Sequence, residues 1–118
     1  MKTIFVVDDC NVNLLMADDS LSGSYNVFTL ACVSTMFELL DKVIPDLILL
    51  DIMMPDIDGF EALKRLKIDN RYTKIPVILL TGKNDAAIKA LGDREGAADF
   101  ISKPFSAQAL LNSVSMHL

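Results

Sequence analysis

The sequence predicts an α/β protein whose core is a doubly wound, five-stranded parallel sheet in a (βα)5 arrangement. Five short apolar runs alternate along the chain with five amphipathic segments of helical periodicity. The runs are hydrophobic at nearly every position, which is typical of parallel strands that helices cover on both faces. A chain of 118 residues fits one compact domain, so we predict a single domain over residues 1–118.

The predicted strands are short and rich in residues that favour extended backbone. The first run is β-branched or aromatic, the second includes Val27, Phe28 and Thr29, and the third and fourth consist of Leu, Ile and Val. Consecutive parallel strands are expected to be joined by right-handed crossovers. From these patterns we predict strands over residues 4–7, 26–30, 47–50, 77–80 and 99–101.

The predicted helices are indicated by apolar spacing and by residues that cap or break them. Asn11 is the candidate cap of the first helix, Ser34 opens the second, Gly59 leads into the third and Ser106 caps the fifth. The fourth helix, from residue 85 to about 94, is rich in Ala but contains Gly92. The positions predicted to face the core are Leu14, Ala17, Leu21, Met36, Leu40, Val43, Phe60, Leu63, Leu66, Ala107, Leu110, Val114 and Leu118.

The composition argues against several classes of function. The formal net charge is -5, which disfavours binding to the phosphate backbone of nucleic acids. No apolar run is long enough to span a bilayer, and the first residues are not those of a signal peptide, so we expect a cytoplasmic protein without membrane contact. Cys10 and Cys32 lack metal-ligand spacing, and the single histidine, His117, is expected on the surface.

The residues that follow the predicted strands are the candidate functional residues. The carboxyl ends of parallel strands joined by crossovers lie at one edge of the sheet, where the ligands of open α/β sheets bind. Asp8 and Asp9 follow the first strand, and Asp51, Thr81 and Lys103 follow the third, fourth and fifth. We therefore expect three carboxylates, one hydroxyl and one ammonium close together.

This set of side chains favours metal-assisted chemistry on a phosphoryl group. Three like charges repel one another strongly in a desolvated site, and a hard divalent cation relieves that repulsion. The expected ion is Mg²⁺, and Mn²⁺ can replace it. The Lys103 ammonium can hold one phosphoryl oxygen, and the Thr81 hydroxyl can donate to another. The central Asp51 carboxylate is then placed to attack phosphorus and become an acyl phosphate.

Four segments of the chain resemble the receiver domain of two-component response regulators. They occur in the family's order and together cover essentially the whole chain. The resemblance implies the flavodoxin-like fold with strand order 2-1-3-4-5. The segments are VVDD at residues 6–9, LDIMMPDIDG at residues 50–59, TG at residues 81–82 and GAADFISKPF at residues 96–105.

The resemblance also implies roles for the matched residues. Asp51 is expected to be the phosphoacceptor, with Thr81 and Lys103 bound to phosphoryl oxygens. The donor is expected to be phosphohistidine on a histidine kinase or a histidine phosphotransfer protein. The domain would catalyse its own phosphorylation and slow dephosphorylation only, so it is not expected to be an enzyme with a separate substrate. The implied Mg²⁺ ligands are Asp8, Asp9, Asp51 and the backbone carbonyl of Met53.

A second group of implied features concerns signalling. Phe100 matches the family's aromatic switch position, which moves inward as Thr81 turns toward the phosphoryl group. The surface formed by the fourth helix, fifth strand and fifth helix would carry the output, and it is also a candidate homodimer interface. The Lys103–Pro104 bond is expected to be cis, as a bond before proline can be.

Three other kinds of protein share part of this pattern. A phosphatase of the haloacid dehalogenase type places a second Asp two residues after its nucleophile, where this chain has Met53. A flavin carrier needs an anion-binding loop after the first strand, where this chain has Asp8 and Asp9. The alternative that stays open is a pseudo-receiver, which uses the same fold for docking or dimerisation without being phosphorylated.

Overall fold

The computed structural model describes residues 1–54, 58–82 and 86–118, and in these ranges strands and helices alternate along the chain. The predicted motif residues 55–57 and the predicted first residue of the fourth helix, Asp85, lie outside the described residues. The elements are β1 (Thr3–Val7), α1 (Asn11–Leu21), β2 (Asn26–Leu30), α2 (Val33–Leu40), β3 (Leu47–Asp51), α3 (Gly59–Ile68), β4 (Val77–Thr81), α4 (Ala86–Glu95), β5 (Asp99–Ser102) and α5 (Ala107–Met116).

The strands form one parallel sheet in the order β2-β1-β3-β4-β5, which confirms the predicted fold class and strand order. β1 and β3 are neighbours near the middle of the sheet, and Val7 of β1 pairs with Leu50 of β3. The residues that follow this pair therefore lie side by side at the carboxyl edge. β4 continues the sheet on the far side of β3, and its last residue, Thr81, pairs with Ser102 of β5.

The sheet has a packed layer on each face, as expected for strands that are apolar throughout. Alternate side chains of each strand point to opposite faces, so Phe5 and Ile48 belong to one cluster and Ile4 and Leu49 to the other. The first cluster contains the inner residues of α2 and α3, and the second contains those of α1 and α5. Among the described residues, no helix is long and apolar enough to cross a membrane.

Two helices begin one residue earlier than predicted. The N-cap of α1 is Cys10, so Asn11 is the first helical residue, and the N-cap of α2 is Cys32, so Ser34 lies inside the helix. At α1 the cause is the preceding Asp8, whose Oδ1 accepts a hydrogen bond from Cys10 N at 2.9 Å and turns the chain into the helix. Ser106 caps α5 as predicted, with its hydroxyl accepting from Ala109 N at 3.0 Å.

The predicted core positions are correct with small exceptions. Val43, Phe60 and Leu118 pack against the core only in part, and Val43 and Leu118 lie beyond the ends of α2 and α5. Ala107 at the first turn of α5 is exposed. The third helix begins at Gly59, with Asp58 as a cap that accepts from Phe60 N at 2.8 Å. The Lys103–Pro104 peptide bond is cis, in agreement with the resemblance.

Candidate functional site

The predicted functional residues meet at the carboxyl edge of the sheet. Asp8 follows β1 directly, Asp51 is the last residue of β3, Thr81 is the last residue of β4, and Lys103 follows β5. The apolar part of each strand is buried between two helical layers, so the first polar side chain after it is held at the rim of the core. Asp8 is 0%, Thr81 1% and Asp51 2% exposed, which is unusual for polar groups and especially for carboxylates.

Lys103 joins the two buried carboxylates. Its Nζ lies 2.9 Å from Asp8 Oδ2 and 3.1 Å from Asp51 Oδ1. Hydrogen bonds to these two carboxylates raise the pKa of Lys103, although its burial by itself opposes the charged form. The ammonium is positioned from the backbone as well, since Lys103 N donates to Thr81 O at 2.7 Å. A cation thus stands at the centre of the site.

Asp51 is in an environment that disfavours its charge. Burial, reinforced by repulsion from Asp8, raises the pKa of the Asp51 carboxyl. A hydrogen bond from Met53 N to Asp51 Oδ1 at 3.1 Å and the contact with Lys103 offset this only in part. Additional positive charge at the site would therefore stabilise the Asp51 carboxylate, and so would a bond from its oxygen to an electrophile.

Asp8 is held by more donors than the sequence predicted. Its Oδ1 accepts from Cys10 N at 2.9 Å, and its Oδ2 accepts from Asn13 Nδ2 at 3.2 Å in addition to Lys103. Asn13 was missed because its position in the first turns of α1 gives no functional signal in the sequence. Its polarity five residues after an acidic strand end is the one feature that could have indicated it.

The third carboxylate, Asp9, completes an acidic cluster. Asp8, Asp9 and Asp51 each offer an oxygen, and the three oxygens lie within 4.8 Å of one another. Two of these side chains are buried and Asp9 is exposed, so the cluster is open on the solvent side. Carboxylate oxygens are the ligands that hard divalent cations prefer, and the donor set fits such an ion.

The remaining predicted residues lie around this cluster. The Met53 side chain is 72% exposed, while its backbone N–H contacts Asp51. Phe100 is half-buried on β5 and packs against the cluster of α2 and α3 instead of lying among the carboxylates. The prediction for His117 is wrong in one respect, since its Nε2 lies 3.1 Å from Asp99 Oδ2 and the residue is not an isolated surface group.

Comparison with known proteins identifies the family. The model of the response regulator receiver domain matches residues 4–115. The chain is 35% identical over 116 residues to a probable cyclic di-GMP phosphodiesterase of Vibrio cholerae, covering 98% of this chain and 26% of the relative. It is 37% identical over 102 residues to response regulator PleD of Caulobacter vibrioides, covering 86% and 22%. The chain thus spans about a quarter of the length of these curated relatives.

The fold comparison agrees with the sequence comparison. The crystal structure of the chemotaxis protein CheY4 of Vibrio cholerae superposes with a TM-score of 0.95 at 28% identity, covering 100% of this chain and 99% of that one. An open α/β sheet with an acidic cluster at its carboxyl edge and a lysine between two buried carboxylates defines a phosphoacceptor class of signalling domain. This chain belongs to the receiver domain family of two-component response regulators.

Proposed function

We propose that Asp51 accepts a phosphoryl group from phosphohistidine on a histidine kinase or a histidine phosphotransfer protein, in a reaction that requires Mg²⁺. The observation that carries the proposal is the buried Asp51 carboxylate, 3.1 Å from Lys103 Nζ and beside the carboxylates of Asp8 and Asp9. The match of residues 4–115 to the response regulator receiver domain supports this role.

Each residue of the site would have its own role in the transfer of the phosphoryl group. Asp8, Asp9, Asp51 and the backbone carbonyl of Met53 would hold Mg²⁺, which when bound supplies positive charge next to the phosphoryl oxygens. One Asp51 oxygen forms the new bond to phosphorus while the bond from phosphorus to the donor's imidazole nitrogen breaks. Lys103 then exchanges its contact with the Asp51 carboxylate for a phosphoryl oxygen, and the Thr81 hydroxyl donates to another.

The output is proposed to follow from the movement of these donors. Thr81 ends β4, and Lys103 follows β5, the strand that contains Phe100, so we propose that a shift of either side chain towards the phosphoryl group also moves Phe100. We propose that this changes the surface of α4, β5 and α5, which receives the next partner or a second copy of the chain. We further propose that residues 1–118 act as one receiver domain.

Labelling by a small phosphodonor tests the assignment. Incubation with acetyl phosphate and Mg²⁺ should add one phosphoryl group, seen by intact-mass spectrometry, and chelation of the metal should prevent it. Asp51→Asn should abolish the added mass. Asp58→Asn is the matched control, because Asp58 lies close in sequence and Asn caps a helix as well as Asp does.

The same experiment separates the proposed function from the pseudo-receiver. Labelling that persists at this site in Asp51→Asn would refute the assignment of the phosphoacceptor. A wild-type chain that stays unmodified with acetyl phosphate and with phosphorylated histidine kinases would be a pseudo-receiver. Rapid turnover of the donor with no phosphoryl group retained on the chain would indicate a phosphatase.

A further inference from the structure

Helix α4 approaches the sheet through a glycine. Of its ten residues, all of them described, Gly92 alone is buried. A Cβ built on Gly92 would lie 2.6 Å from both Cε1 and Cζ of Phe100, and 3.1 Å from Leu79 Cδ1. The Phe100 ring therefore lies directly against the helix backbone, in space that any other residue at position 92 would fill.

A side chain at position 92 would compete with the half-buried ring for this place. Leu79 of β4 pairs with Phe100 of β5 and is fully buried, so the sheet limits movement on one side. The helix is fastened on the other side, because Gly92 O accepts from Ala97 N at 2.9 Å and Ala98 N donates to Val77 O at 2.8 Å. A side chain at position 92 must therefore displace the ring or loosen this end of α4.

We propose that Gly92 is a positioning residue for Phe100 and that it sets the balance between a ring packed on α4 and a ring turned away from it. The proposal rests on the proposed function, in which the Phe100 ring moves when Asp51 is phosphorylated. In this proposal the ring leaves its place on α4 in that movement. An alanine side chain at position 92 would occupy the space of the ring on α4. The conformation that binds the phosphoryl group would then be more populated before phosphorylation than it is in the wild type.

The sign of the change in Tm caused by Gly92→Ala tests the contact between Gly92 and Phe100. Alanine is the better helix former, so Gly92→Ala should raise Tm when the ring is absent. In the wild-type background the clash with the ring should outweigh this and lower Tm. We therefore expect Gly92→Ala to lower Tm in the wild type and to raise it in Phe100→Ala, a double-mutant cycle with a large coupling. The same sign in both backgrounds would overturn the contact.

A spectroscopic measurement reports the ring itself. In protein labelled with ¹³C-phenylalanine, the Phe100 resonances are assigned by their loss in Phe100→Leu. The wild type should show a nuclear Overhauser effect between the Phe100 ring and the Gly92 α-protons, and the effect to the Leu79 methyl groups should weaken in Gly92→Ala. Gly23→Ala is the control, because a Cβ there meets nothing within 4 Å. Unchanged ring resonances and contacts in a folded Gly92→Ala would overturn the proposal.

Binding of beryllofluoride with Mg²⁺, a stand-in for the phosphoryl group, tests the link to regulation. Calorimetry should give an apparent Kd about fivefold lower for Gly92→Ala than for wild type, while Gly23→Ala binds as the wild type does. Equal or weaker binding by Gly92→Ala would overturn the coupling. If the wild type itself is not labelled by acetyl phosphate, the proposed function fails. A labelled wild type without the change of sign in Tm refutes the role of Gly92 alone.

Discussion

Replacement of Lys103 with Met should show that one ammonium holds the two buried carboxylates together. Lys103 Nζ lies 2.9 Å from Asp8 Oδ2 and 3.1 Å from Asp51 Oδ1, and the two acidic side chains are 0% and 3% exposed. Methionine keeps most of the aliphatic stem but removes the charge. Two carboxylates whose oxygens lie within 4.8 Å of each other then share a buried site with their main source of positive charge removed.

The size of the effect follows from the burial of the pair. Removal of one partner of a buried ion pair costs about 3–5 kcal/mol, because the charge left behind stays buried and uncompensated. We expect the lower end of about 3 kcal/mol, since Asp8 keeps its hydrogen bonds from Cys10 N and Asn13 Nδ2. For a chain of 118 residues this corresponds to a fall in Tm of about 12 °C.

The loss of stability in Lys103→Met should become smaller as the pH falls. Burial, with repulsion from Asp8, already raises the pKa of Asp51, and the substitution removes the Lys103 contact that lowers it. A carboxyl whose folded-state pKa lies above its unfolded value weakens the fold at neutral pH. This cost starts to shrink as the pH falls through the folded-state pKa, and it is gone below the unfolded-state pKa. The difference in free energy of unfolding between wild type and Lys103→Met should therefore narrow as the pH falls from 7 towards the unfolded value of about 4.

Urea unfolding followed by circular dichroism measures these differences, with and without Mg²⁺. The metal should stabilise Lys103→Met more than the wild type, where it competes with the ammonium for the same two carboxylates. Lys64→Met, on the exposed side of α3, is the control and should change stability by no more than about 0.5 kcal/mol. The reasoning would be refuted if Lys103→Met lowered the free energy of unfolding by less than about 1 kcal/mol at pH 7. A decrease of the same size at pH 7 and at about pH 4 would also refute it.

Two further predictions concern Gly59 and Asp99. Gly59→Ala places a Cβ 2.5 Å from Asp51 O and close to the Ile52 backbone, so urea unfolding should show a loss of about 1–3 kcal/mol, against a negligible change in Gly23→Ala. Although burial opposes it, hydrogen bonds from Phe100 N, His117 and Ser113 lower the pKa of Asp99. Asp99→Asn should therefore be less stable than the wild type at pH 7, with a gap that closes below about pH 4 as Asp99 is protonated. A gap of constant size through acid unfolding would contradict this.

The strands were the most predictable part of the fold, for a physical reason. The run at residues 47–50 is apolar at each position, and all of β3 is buried, because a parallel strand is covered on both faces. The helix starts were less predictable, since the start of α1 depends on a contact with a residue outside the helix. Asn11 has the side chain of a good cap, but the Asp8 carboxylate turns the chain at Cys10 and starts α1 there.

The sequence alone determined the class of the sheet, the strand ends on which Asp8, Asp51, Thr81 and Lys103 stand, and hence the edge at which they meet. These properties follow from hydrophobic patterning and from the parallel topology, which are local or regular features of the chain. Only the tertiary structure decided that Asn13 supports Asp8, that Asp99 contacts His117, and that Gly92 leaves room for Phe100.

Each of these contacts joins residues on different elements or in different turns, and none repeats with a period that a sequence pattern reveals. Gly92 shows the difference most clearly. In the sequence it only weakens a helix, since glycine loses more backbone entropy than alanine. In the folded chain its missing Cβ is the space in which the Phe100 ring lies, because β5 and α4 bring the two residues together.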